Sequence, residues 1–492
     1  MRRLGPLTGA AEMRSRSQIL SDNVLPRLVV VGGLGWSLAF AVLAPLNQLE
    51  LYGDGAMFSY AVAVRDVWAY HWHNISGRTS VYLLTLLPAE TLVRMTASPW
   101  IGITAYGFLF NALPLLGLWL TYAADQSRGR VIFVYACGST ALLCPLVFGF
   151  PTEMWLAHTI FWPALALSHY ARRTVAGGAS VFVSWLLLAF SHEGAFVLLL
   201  GLLFTLALRG FRSAPFLRGA VSLILILAAA VVAKVFFPPD AYYADAFVRA
   251  ALHFFDPELF KVEVVILLMG AVAAYAVLGT TLSLAGLRHA CIVALAFMLV
   301  LIVGYYLCCD KSIHASSRYY LRTVLVIVTP LLGGLAAIAA LTSEGLTDGR
   351  LAWLQRTLVS PSHQLSCAVA SMFVIVLAIH LVETGKFLSR WSDYRAAVTS
   401  LAAGNESDPV LGNPQFVSSQ RLPPTLAPLA WFSTVPYLSV ILSNFSPERL
   451  VIDPQGNYFW LSCETATRTR DAKLAVPEHA RELVRIYSCL HR

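Results

Sequence analysis

Ionisable side chains are scarce in this chain, and a few of them stand where they can do chemistry. Asp54 lies between Gly53 and Gly55, directly after the first long apolar run. Flanking glycines let the backbone turn and let a second molecule come close to the carboxylate. His192 and Glu193 sit between Ser191 and Gly194 in the middle of another apolar run, and Glu153 follows Pro151 and Thr152. Carboxylates and imidazoles at such places accept protons or hold metal ions. Lys311, Arg318 and Arg322 crowd one short polar segment, and Arg78 stands in another. Guanidinium and ammonium groups suit phosphate oxygens.

The surroundings of these residues are apolar. Of 492 residues, 58% are hydrophobic and 13% charged, with mean hydropathy +0.67. A soluble protein carries about 25% charged residues, which excludes a soluble enzyme. Disorder, collagen and a small disulfide scaffold are excluded by the same numbers. A net charge of +8 would suggest nucleic acid in a soluble protein, but in a membrane protein basic residues set orientation. No nucleic-acid partner is expected. The mostly arginine basic set fits a GC-rich bacterial genome.

A membrane span needs about 20 apolar residues. Candidates are 27–48, 99–122, 131–149, 155–171, 219–237, 263–286, 290–307, 321–342 and 366–385. The run 178–208 is long for one helix and is broken at residues 191–194; the run 81–95 is short and contains Glu90 and Arg94. The positive-inside rule arbitrates. With the N-terminus in the cytoplasm, 178–208 as a hairpin and 81–95 not crossing, Arg128, Arg130, Arg172, Arg173, Arg209, Arg212, Arg218, Arg288, Arg350 and Arg356 all fall inside. The expectation is an all-α polytopic membrane protein of about 11 transmembrane helices. Residues 1–26 form a cytoplasmic segment, 27–385 the membrane domain and 386–492 an extracytoplasmic C-terminal domain. In this topology Asp54, Glu90, Glu153, Glu193 and Asp310 all lie on the outer side.

The first outer loop, 49–98, opens with Asp54 and continues with apolar Met57, Phe58, Ala61, Val64 and Trp68 at helical spacing. Residues 71–78 read as a polar turn. The segment 81–95 reads as a second surface helix with Glu90 and Arg94 paired at i, i+4. This arrangement resembles the GT-C superfamily of integral-membrane glycosyltransferases. Those proteins carry acidic residues just after the first span, two juxtamembrane helices, and often an extracytoplasmic C-terminal domain. Where that family often has two neighbouring acids, this chain has Asp54 alone between glycines.

The resemblance implies transfer of a sugar from a polyprenyl-phosphate donor to a glycan, lipid or protein acceptor, with inversion. Asp54 is then the general base for the acceptor hydroxyl; its competing role is to cap the helix that follows. Glu153, His192 and Glu193 are candidates for the acceptor or for a metal ion. Arg78, Lys311, Arg318 and Arg322 are candidates for the donor phosphate. No cofactor is certain, and a divalent metal ion stays open. The implied location is a bacterial inner membrane with the C-terminal domain in the periplasm. Two other readings remain: an O-antigen-ligase-like transferase, and a transporter or flippase. A transporter should show paired repeats and midplane charges, and no internal repeat is found.

The C-terminal stretch is rich in proline and polar turns. Arg449–Ile452 and Tyr458–Ser462 read as strands joined by a turn at 453–457, and Pro477–Leu490 as a helix, which suits a small α/β domain. Cys463 and Cys489 are its only cysteines, a candidate disulfide in an oxidising compartment.

Overall fold

The computed structural model describes residues 8–65, 67, 75–143, 153–238, 248, 252, 315–341, 363–404, 416–431, 434–445 and 449–452. Among them the chain is mostly helical. Helix α1 (Thr8–Leu46) leads through a 3-10 turn at Leu49–Leu51 into α2 (Asp54–Val64). Helix α3 (Ile75–Val81) runs through a π-helical turn at Tyr82–Leu86 into α4 (Leu87–Thr96). Next come α5 (Pro99–Ala124), α6 (Val131–Leu143), α7 (Met154–Tyr170), α8 (Val175–Ala189), α9 (Ala195–Ala207) and α10 (Ala214–Phe236). After a gap in the described residues follow α11 (Ala315–Ala340) and α12 (His363–Ala403).

Among the described residues three helices are long and apolar enough to cross a membrane: Pro26–Leu46 of α1, α5 and α10. The helices α6, α8, α9 and Val326–Ala340 of α11 are apolar but shorter. Helix α10 leaves Ile224, Val231 and Val235 exposed; apolar surface of this kind marks contact with a membrane or with another protein. The expected spans 263–286 and 290–307 lie outside the described residues.

Local sequence explains where the helices start. Pro99 occupies the first turn of α5, where its missing N–H costs nothing. The Thr174 Oγ1 accepts the Gly177 N–H at 3.1 Å and caps α8, and the Ser213 Oγ caps α10 through Phe216. Between α5 and α6, buried Asp125 accepts the amides of Ser127 and Phe133 at 2.9 and 3.0 Å, so one carboxylate satisfies the turn and the start of α6.

Helices in lipid associate by close van der Waals packing rather than by apolar burial. Small residues provide that closeness. A methyl group on Gly33 of α1 would meet the backbone of Cys137 in α6 at 2.5 Å, and one on Gly117 of α5 would meet Thr159 of α7 at 2.7 Å. These contacts tie α1, α5, α6 and α7 into the centre of the bundle, where Trp162, Trp185 and Tyr106 are fully buried.

Three expectations change in the first outer loop and the tail. Ile75, Ser76, Gly77 and Arg78 belong to α3 rather than to a polar turn, although Arg78 itself is kinked (φ −129°, ψ 18°). The boundary placed at 385/386 falls inside α12, which continues unbroken for 41 residues. Its extension is held by packing: Trp391 and Phe387 meet the Tyr52 ring edge-on at 5.3 and 5.0 Å, and the Trp391 Nε1 donates to the Asn47 carbonyl at 3.0 Å. Finally, Leu450–Ile452 (β2) pairs in parallel with Phe416–Ser418 (β1). Helix α13 (Val435–Leu442) lies between them in sequence, as a parallel pair requires a crossover. The proposed hairpin partner 458–462, the helix 477–490, and Cys463 and Cys489 lie outside the described residues.

Candidate functional site

The site is built at the end of the bundle where α1 ends and α7 begins. The chain leaves α1 and must turn sharply before α2. It does so with Gly53 at φ 60°, ψ −134°, a conformation open in practice only to glycine. Gly53 holds the cap position and Asp54 is the first residue of the helix proper. Its position in the first turn suits the helix dipole.

Helix α2 is buried along almost its whole length. It packs between α5 and the C-terminal segment, where Tyr60 meets Tyr437 of α13 with ring centroids 5.2 Å apart. A helix buried all round fixes the position of the residue that opens it. The extension of α12 completes the clamp from the other side through Tyr52.

Asp54 does not stand alone. The carboxylates of Glu153, Asp54 and Glu50 all lie within electrostatic range of the buried Tyr106 hydroxyl on α5. Arg78 of α3 forms an ion pair with Glu153, whose side chain is 7% exposed against 24% for Arg78. Two residues assigned separately, one to phosphate and one to the acceptor or a metal, are thus direct partners. A buried carboxylate next to a guanidinium keeps its charge at far lower cost than one alone.

The turn between α8 and α9 joins the same end of the bundle. The Ser80 N–H donates to the Phe190 carbonyl at 2.9 Å, which ties α3 to this turn. A methyl on Gly194 would contact the Met154 sulfur at 3.4 Å, next to Glu153. His192 and Glu193 are mostly buried, with 18% and 12% of their side chains exposed. The His192 Nδ1 accepts the Gly194 N–H at 3.0 Å. A neutral ring therefore carries its proton on Nε2. Its Nδ1 lies 3.8 Å from the Glu193 Oε2, which is too long for a hydrogen bond.

Arg318 and Arg322 lie in the first two turns of α11, four residues apart and on one helix face; their side chains, and Lys311 entirely, lie outside the described residues. Helix α11 reaches the α8–α9 turn through Ile327, which lies 3.1 Å from the position of a Gly194 methyl. Arg322 precedes Ile327 by about 7.5 Å of helix rise. Among the described residues no group of three or more His, Cys, Asp or Glu side chains is arranged to hold a metal ion.

Sequence reasoning missed Glu50. It is 1% exposed and presses on Gly107 of α5, where a methyl would fall 2.7 Å from its Oε2. That oxygen has no hydrogen-bond partner among the described residues. Burial pushes the Glu50 carboxyl up to about 8, opposed in part by its own backbone amide and by the Arg395 guanidinium. Near pH 7 it is a neutral acid. Arg395, in the extension of α12, is anchored on Gln48 and lies over the Trp391 ring, 5.6 Å from its centroid. The sequence carried no helical spacing that links Glu50 to Asp54, because the extended Tyr52 and the turn at Gly53 separate them.

Beside this end of the bundle, α4 and α5 enclose an apolar groove of about 570 Å³ lined by Leu87, Pro88, Leu92, Phe108 and Leu109. The surface helix above it is stiffened by the Glu90–Arg94 ion pair. Comparison with protein-family models and with characterised proteins finds no match for this chain.

Proposed function

We propose that this chain is a membrane glycosyltransferase of the GT-C type, with about 11 spans. It transfers a sugar from a polyprenyl-phosphate donor to a cell-envelope acceptor on the outer face of a bacterial inner membrane. The observation that carries the reading is the gathering of Asp54, Arg78 and Glu153 around Tyr106, next to the His192–Glu193 turn, at one end of an apolar bundle. Ionisable groups this deep in a membrane protein are costly and mark functional sites by default.

The chemistry follows from the roles. The acceptor oxygen forms a bond to the anomeric carbon while the bond from that carbon to the phosphate oxygen breaks. The acceptor proton passes to the Asp54 carboxylate. Polyprenyl phosphate leaves as an anion and needs no general acid. Arg78, oriented by Glu153, lies near enough to stabilise that anion, and a guanidinium can serve two acceptors at different edges. The apolar groove between α4 and α5 suits a prenyl chain lying beside the site.

The test is transfer in proteoliposomes with a panel of polyprenyl-phosphate sugars, scored by release of polyprenyl phosphate and by labelled acceptor. Release with at least one donor supports the reading. Lipid-linked sugar moved across the bilayer without release would replace it with the flippase reading.

A further inference from the structure

A second cluster of charge lies at the opposite end of the bundle and takes no part in the proposed site. Helix α7 runs from Glu153 to Tyr170, so the turn 171–174 is one full helix length away from the carboxylates. The turn 208–213 between α9 and α10 lies at the same end. Arg172, Arg173, Arg209, Arg212 and Arg218 all belong to these two turns or to the helix start beside them. No Asp or Glu occurs from residue 154 to 239 except Glu193, which is at the far end. None of the five arginines forms an ion pair among the described residues.

Two of the arginines, Arg209 and Arg218, are held by backbone carbonyls. The Arg209 Nη1 donates to the His169 carbonyl at 2.8 Å. The Arg218 Nη1 donates to the Arg172 carbonyl, and its Nε to the Ala214 carbonyl, both at 3.4 Å. The His169 carbonyl belongs to the negative end of α7, which draws cations, and Arg172 lies just past that end. Arg173 and Arg218 both lie within electrostatic range of Arg209. Orientation of the chain needs basic residues near span ends, but it does not need guanidiniums bonded to the ends of neighbouring helices. Like charges brought together, with no acid paired to them among the described residues, call for an anion.

The surface next to them says which anion. Leu217, Val221 and Ile224 of α10 are 52%, 56% and 65% exposed and share one helix face. They run from the Arg218 turn toward the middle of the bilayer. We propose that this end of the bundle binds an anionic phospholipid: its phosphate rests on Arg173, Arg209 and Arg218, and an acyl chain lies along Leu217, Val221 and Ile224. A basic cluster at helix ends with an apolar stripe beside it matches a lipid headgroup with its tail. A soluble phosphate would have no use for the stripe.

Native mass spectrometry of the full-length protein, released from bilayers of phosphatidylcholine with phosphatidylglycerol, tests this. The wild type should retain phosphatidylglycerol in preference to phosphatidylcholine. Arg173→Gln and Arg218→Gln should each lower that retention at least about fivefold. Arg218→Lys keeps the charge that orients the chain but loses the planar fork, so it should also lose retention severalfold. Equal retention of the two lipids by the wild type, or unchanged retention in the variants, would overturn the proposal. Complete displacement by millimolar inorganic phosphate would do so too, by showing an anion site with no lipid preference.

Discussion

Glu50 offers a test that depends on position alone and not on any assumed substrate. Its carboxyl has an ordinary value of 4.5 and sits at about 8 in the fold because burial disfavours the anion. The folded value is raised, so the contribution is full below 4.5. As pH rises above 4.5 the unfolded chain ionises while the folded chain holds its proton, and stability falls until pH reaches about 8, where it levels off. At about 1.4 kcal/mol per pH unit this interval costs roughly 5 kcal/mol. Glu50→Gln keeps the shape against Gly107 and removes the titration. The assay is the thermal midpoint in detergent at pH 5, 6.5 and 8, followed by tryptophan fluorescence. Each kcal/mol moves a midpoint by about 2–4 °C in a domain of 150–250 residues and by less in a longer chain. The variant should match the wild type at pH 5 and exceed it by several degrees at pH 8. An infrared band of a protonated carboxylic acid at pH 7, lost in Glu50→Gln, should accompany this. Parallel pH profiles for the two proteins would refute the reasoning and return Glu50 to an ionised state.

Further perturbations have equally definite outcomes. Arg78→Ala strips a mostly buried carboxylate of its ion-pair partner. It should cost about 3–5 kcal/mol of stability, and Arg78→Ala with Glu153→Gln should recover part of that midpoint loss. Gly53→Ala puts a side chain at φ 60°, ψ −134° and should destabilise by about 1–3 kcal/mol, read as a lower midpoint and as increased proteolysis within 47–56. Reporter fusions at residues 130, 175, 215 and 350 should read cytoplasmic and those at 75 and 430 extracytoplasmic; a cytoplasmic signal at 430 would reject the topology.

Hydropathy made the apolar helices legible, and with them the break at residues 191–194 and the surface helix carrying the Glu90–Arg94 pair. It also singled out Asp54, Glu153, His192 and Glu193, because each interrupts an apolar stretch. It did not show that Arg78 and Glu153, 75 residues apart, are partners, since charge pairing across helices leaves no periodic trace. Glu50 was invisible because it ends an apolar run and reads as the first residue of a wet loop; its burial comes from Gly107 on another helix. The extension of α12 past residue 385 is polar in composition, so the pattern suggested a domain boundary. Tertiary contacts of Trp391 and Tyr394, both buried, keep it helical instead. The parallel pairing of β1 and β2 is set by a crossover, whereas the sequence near 453–457 carried only a local turn signal.

The central claim is that Asp54 takes the proton from the acceptor, and Asp54→Asn tests it most directly. The substitution keeps size and hydrogen-bonding shape at the first position of α2, and the cap position itself is held by Gly53. A general base contributes about 10²–10⁴ in rate. With a donor the wild type uses, the variant should express, show an unchanged thermal midpoint and bind donor normally, while turnover falls at least about a hundredfold. Near-normal turnover in a folded, donor-binding Asp54→Asn protein would contradict the account.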